Sequence, residues 1–210
     1  MREEFLKRRG YDIIPWLPVL AGHAVGGKER ASRFEHDLKS TISDMLVENY
    51  FLLGKKMINE LGMQLQLEPY GGPFDEVYAT SVPDMPLAEF WMNKDQSEYG
   101  GKSLAASAAR ALGKNILAAE SFTGDPSVSS WSETPATLKV AGDSAFANGI
   151  NRLVLHHWVH QPFPDNILPG MCFGWWGTHF GRNQTWFEPG KAWFTYLSRC
   201  QLLLQQGEQV

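Results

Sequence analysis

Strand-like and helix-like hydrophobic patterns alternate along this chain, and that alternation limits the fold more than any other feature. Residues 29–61 place Phe34, Leu38, Ile42, Met45, Leu46, Leu53, Met57 and Leu61 at three- and four-residue steps, which predicts one long amphipathic helix. Gly62 stands where its C-terminal cap belongs. Residues 63–68 then alternate apolar and polar, which predicts a short strand with Gln64, Gln66 and Glu68 on one face. Further strands are expected over 86–91, 115–122 and 153–160. Helical patterns cover 98–112, 135–148 and 190–206. Thr134 is placed to cap the second of these, with Pro135 at its first turn, and Trp193, Leu197, Cys200 and Leu204 share a face of the last. Strands that alternate with helices in this way are parallel and joined by crossovers, so the expected class is α/β.

The size of the chain sharpens this. At 210 residues it can bury a real core as one domain or two small ones, but a whole eight-fold β/α barrel needs about 250 residues. Only four strands are expected here, not eight. With 43% apolar and 20% charged residues, the composition excludes disorder and collagen-like repeats. A net charge of −4 without a dense basic run argues against nucleic acid or an anionic membrane surface as partner. Lys7, Arg8 and Arg9 are the one basic cluster and read as solvated. No 18-residue apolar run is present to span a membrane, and the first ten residues lack the apolar stretch of a signal peptide. Cys172 and Cys200 have no metal or redox spacing and read as buried or idle.

Chemistry gathers at the strand ends. Glu68, Glu89 and Glu120 each close a predicted strand just before loop residues, and a parallel sheet delivers those ends to one mouth. Carboxylates there lose hydration unless they are paired, bind a metal, or hold a proton. Such groups, ringed by aromatic side chains, suit glycoside hydrolysis, in which one carboxyl protonates the leaving oxygen and another serves as base or nucleophile. Tyr70, Phe90, Trp91, Phe122, Trp131, Trp158, Trp175, Trp176 and Trp186 supply flat faces for sugar rings, with about half of them expected in the core. On an extended strand His156 and His160 would stand roughly 13 Å apart, too far for one zinc ion. His160 is then a candidate partner for a substrate hydroxyl, and His156 a core histidine. The irregular segment 161–189 is long enough to be functional. Walker, dinucleotide-binding and serine-elbow motifs are missing.

Longer motifs resemble a known family. Lys7-Arg8-Arg9-Gly10-Tyr11-Asp12, Glu68-Pro69-Tyr70-Gly71-Gly72-Pro73, Glu89-Phe90-Trp91, Ala119-Glu120-Ser121-Phe122-Thr123, His160-Gln161-Pro162 and Trp176-Gly177-Thr178-His179-Phe180 are similar, in order, to glycoside hydrolase family 106, the α-L-rhamnosidases. The resemblance implies a calcium-dependent, inverting hydrolase of terminal L-rhamnose, with a rhamnose-containing oligosaccharide or glycan as partner, and makes this chain a partial (β/α)8 barrel, from the fourth helix through the eighth β/α unit. Carried onto this chain, it makes Glu120 the general base, Glu89 a calcium carboxylate, and Glu68, Tyr70, Trp91 and His160 pocket residues. The family's general acid lies in an Asp-Ser-aromatic-Glu segment before Arg-Arg-Gly-Tyr-Asp, which this sequence lacks. The first expectation is therefore an enzyme fragment, inactive alone, whose open barrel edges invite self-association. A non-catalytic carbohydrate-binding module, or an active enzyme using Glu68 or Glu133 as acid, are the alternatives.

Overall fold

The computed structural model describes residues 1–92, 98–99, 102–125, 127, 131–174 and 176–207. The chain divides into two units, Met1–Leu65 with Gly71–Pro83, and Gln66–Tyr70 with Asp84–Val210.

The first unit is helical. Helix α1 (Arg2–Arg9) stops at Gly10, whose φ of 80° lets its N–H reach the Leu6 carbonyl. A 3-10 segment, Ile14–Ala21, follows, where Pro15 and Pro18 cannot donate to a helical ladder. Helix α2 (Lys28–Leu46) passes through a π turn, Val47–Leu52, into α3 (Leu53–Glu60), and α4 (Glu76–Ser81) is capped by Asp75, which accepts from the Tyr78 N–H at 2.7 Å. Phe5, Ile13, Val19, Ala31 and Phe34 form a small core, with Tyr11 edge-on to Phe5 at 5.0 Å. The single long helix expected over 29–61 is thus three segments. The extra residue of the π turn rotates the face that follows it, so Val47 and Phe51 are buried while Leu53, Met57 and Leu61 are exposed. The basic cluster is not simply solvated: Arg8 grips Glu48 with two nitrogens at 3.0 and 2.5 Å, and Arg9 bonds Thr41 and Asp44.

The second unit carries the sheet. Strands β1 (Gln66–Leu67), β2 (Met85–Met92), β4 (Ala118–Gly124) and β5 (Arg152–Leu155) lie side by side in that order, all parallel. A short β3 (Glu98–Tyr99) pairs antiparallel with the end of β2, taking residues the sequence assigned to a helix. Helices α5 (Lys102–Ala111), α6 (Pro135–Ala147) and α7 (Lys191–Leu204) complete the alternation, which is that of a partial (β/α)8 barrel. Thr134 caps α6 as expected, in a reciprocal box with Thr137.

Period-two alternation in β2 sorts its residues. Ala88, Phe90 and Met92 enter the core with Leu138, Ala141 and Ala145 of α6 and Trp193 and Leu197 of α7, while Leu87, Glu89 and Trp91 face the other way. On α7, Cys200 and Leu204 pack at the margin of that core. The strand expected over 153–160 ends at Leu155. His156 N–H still bonds Ser121 O at 3.0 Å, but His157 N–H and His156 O then pair with Thr178, and the chain leaves the sheet for the loop. Among the described residues, no helix is long and apolar enough to cross a membrane.

Candidate active site

Neighbours in register on a parallel sheet project to the same face. Glu89 of β2 is paired with Glu120 of β4, so two carboxylates stand side by side. Gln66 and Leu67 of β1 pair with Met85 and Pro86, and one more step brings Glu68 level with Leu87, on the face of Glu89. The three acidic residues named from sequence therefore share one face near the C-terminal strand ends. Their electrostatics agree. Burial first, then repulsion from Glu120 and Glu89, pushes the Glu68 carboxyl up to about 7. The Tyr70 hydroxyl bonds Glu89, and burial together with that bond holds the phenol protonated far above its ordinary range.

Strand β4 does not alternate regularly. Glu89 pairs with Glu120 and Trp91 with Thr123, so two residues, Ser121 and Phe122, oppose Phe90 alone. This β-bulge is paid out at Phe122, whose φ is 63°, a left-handed conformation uncommon for a bulky residue. The ring of Phe122 is fully buried, edge-on to Phe90 at 4.9 Å and near Trp193 at 5.4 Å. The bulge also brings Thr123 round to the face of Glu120. Thr123 Oγ1 donates to Glu120 Oε1 at 2.5 Å and lies 3.2 Å from His156 Nδ1, which is itself 3.6 Å from Glu120 Oε1.

His156 is therefore a site residue, which corrects its reading as a core histidine. Its neighbour takes the buried role. His157 and His179 are nearly inaccessible, with ring centroids 4.8 Å apart, and neither ring nitrogen of His179 has a hydrogen-bond partner among the described residues. Burial keeps both neutral and pushes His179 down to about 4, where it stacks on Trp131 at 4.0 Å. Gly177 allows the close packing here, because a Cβ would fall 2.8 Å from His156 Nδ1 and 2.5 Å from His157.

The aromatic residues divide. Phe90 and Phe122 belong to the core and Trp186 packs against it, with its indole N–H on the Glu133 carbonyl. Trp91 stays on the carboxylate face, edge-on to Trp176 at 5.2 Å. Trp158 is exposed, and Trp175 lies outside the described residues. Glu133 is buried, and burial raises its carboxyl. His160 is exposed in the loop, and among the described residues no bond or ring contact joins it to the carboxylates. That loop is stapled by Gln161, which bonds the Met171 backbone at both its amide nitrogen and its oxygen.

The donor set is hard oxygen, which suits calcium. Among the described residues, however, no three acidic, histidine or cysteine side chains converge closely enough to hold an ion. These residues do not by themselves form a calcium cage. Thr123 was missed from sequence because regular alternation puts position 122, not 123, beside Glu120, and His156 because a strand continued to position 160 leaves it well below the mouth.

Comparison with known proteins agrees with this fold. A rhamnosidase structure from Novosphingobium sp. PP1Y matches with a TM-score of 0.86 at 34% identity, covering 99% of this chain and 20% of that one. A curated relative from Formosa agariphila, described as a putative beta-glucuronidase, is 38% identical over 207 residues, 99% of this chain. This chain spans 17% of that relative's length. The family model for glycoside hydrolase 106, alpha-L-rhamnosidase, matches residues 1–210. A sheet of this topology, with its carboxylates so placed and a family match along its full length, belongs to glycoside hydrolase family 106, the alpha-L-rhamnosidases.

Proposed function

We propose that these residues supply the base side of an inverting α-L-rhamnosidase site, with Glu120 activating the water that attacks the anomeric carbon. The observation that carries this reading is the in-register Glu89–Glu120 pair at the strand ends, with Tyr70 bonded to Glu89. A base needs a fixed acceptor within reach of a water, and Glu120 has one oxygen tied by Thr123 while its side chain stays about a quarter exposed. Trp91 and Trp176 offer apolar faces to the deoxy edge of the sugar, and Tyr70 and His160 offer polar groups to its hydroxyls. An uncharged sugar also suits the electrostatics. The repulsion felt by Glu68 would extend to the carboxylate of a glucuronide.

Calcium enters this proposal through Glu89 alone, as one ligand completed by residues elsewhere in a longer protein, and no step is routed through it. The acid is likewise supplied from elsewhere, so the 210 residues alone do not turn over. β1 and β5, paired on one side only among the described residues, are the edges through which copies would associate.

The test is hydrolysis of an aryl α-L-rhamnoside by the full-length enzyme. Glu120→Gln should lower the rate about 10²–10⁴-fold; a variant with native rate would overturn the assignment. A second reading has one observation behind it: Glu68, holding its proton to about pH 7, could itself be the acid. In that case the 210-residue protein is active, its rate falls as pH rises through about 7, and Glu68→Gln spares only substrates with good leaving groups.

A further inference from the structure

We propose that Thr123 and His156 are positioning residues for Glu120, joined to it in one directed chain that runs from His156 Nδ1–H to Thr123 Oγ1 and from Thr123 Oγ1–H to Glu120 Oε1. This rests on the reading of Glu120 as the base.

The direction follows from counting hydrogens. A threonine hydroxyl has one proton to donate and lone pairs to accept with. An ionised carboxylate only accepts, so the contact of 2.5 Å between Thr123 and Glu120 commits that one proton to Oε1. His156 Nδ1, 3.2 Å from the same hydroxyl, must then be the donor. A neutral His156 is thereby held with its proton on Nδ1, the reverse of the arrangement in which Nδ1 would present a lone pair. Were Glu120 to carry the proton on Oε1, it would donate to Thr123, and the hydroxyl would turn to donate to His156. The tautomer of His156 therefore reports whether the base is ready.

Three local features fix the geometry. The bulge places Thr123, rather than residue 122, on the carboxylate face. The His156 N–H to Ser121 O bond holds β5 against β4 just where the ring must reach. Gly177 leaves room for the imidazole, since an added Cβ there would fall 2.8 Å from Nδ1. Thr123 is almost wholly buried, so water does not compete for its hydroxyl. The chain occupies one oxygen of Glu120 and limits its rotation, leaving the remaining acceptor capacity for the attacking water.

The test is a ¹⁵N spectrum of the full chain labelled at histidine, taken where the ring is neutral, with His156→Gln identifying the resonance. The native protein should show Nδ1 protonated and Nε2 bare, and Thr123→Val should shift His156 toward the Nε2–H form that imidazole favours in water. A native His156 with a bare Nδ1, or a tautomer unmoved in Thr123→Val, overturns the proposal. Should Thr123→Val fail to fold, the native spectrum still decides it, and Thr123→Ser must keep the native pattern. In the full-length enzyme, Thr123→Val should lower kcat about tenfold with KM little changed, and Thr123→Ser should restore it. A native rate in Glu120→Gln would strike at the base itself while leaving the spectra to judge the chain.

Discussion

The two faces of one sheet follow opposite rules. On the helix-covered face, Ala88, Phe90, Met92 and Ala119 interlock with α5, α6 and α7. On the other, Glu68, Glu89, Glu120 and Thr123 gather like charges and polar groups that nothing in the packing requires. The first face supplies stability through removal of apolar surface from water. The second accepts electrostatic repulsion, which a fold tolerates where chemistry needs it. The same eight residues of β2 serve both, because successive side chains point to opposite sides.

The contrast can be broken in order of expected effect. Phe90→Ala on the packed face should cost about 3–5 kcal/mol in denaturant unfolding, since the ring is fully buried; a loss below 1 kcal/mol would mean that this core is not close-packed. At Phe122, both Ala and Gly lose the ring, but only Gly relieves the left-handed backbone, so Phe122→Gly should be more stable than Phe122→Ala by about 1 kcal/mol. That reverses the usual strand ranking, and the usual order would argue against the bulge.

On the polar face the expected signal is a pH slope. The folded state raises Glu68 from 4.5 to about 7, so it binds more protons there than the unfolded chain. Stability from this group is full below pH 4.5 and is lost as pH rises toward 7. Glu68→Gln should remove that slope, worth on the order of 1 kcal/mol after allowance for its partial exposure; an unchanged unfolding profile across that window would count against the three-carboxylate cluster. The smallest effect belongs to Val154, in register with Glu120 yet 40% exposed. Val154→Thr should change stability by less than about 0.5 kcal/mol.

Much of this was legible before the structure. The alternation in 86–91 places Glu89 with Trp91 and opposite Phe90, and the Thr134-Pro135 pair marks where α6 starts. What escaped were departures from periodicity. The π turn after Leu46 changes which side of the helix Leu53, Met57 and Leu61 occupy, and no residue in 47–52 announces it. The bulge hid Thr123 and turned Phe122 from a supposed sugar platform into core. His156 was misjudged because β5 was drawn through it, whereas Thr178 captures the chain one residue after the sheet ends. Local pattern shows the period of an element well, but a change of phase is decided by tertiary partners.

The bulge also bears on how this segment tolerates insertions and deletions. In a surface loop, loss of one residue is usually absorbed. Here, removing Ser121 or Phe122 would restore a regular pleat while retaining every chemically important side chain in the sequence. Thr123 would then follow Glu120 by two places, level with Trp91 as it is now, and its hydroxyl would stay on the carboxylate face. A threonine two places after the glutamate on a regular strand is therefore the counterpart of Thr123 beyond the bulge, so a comparison of sequences should weigh the face on which the hydroxyl falls more than a fixed spacing between positions 120 and 123.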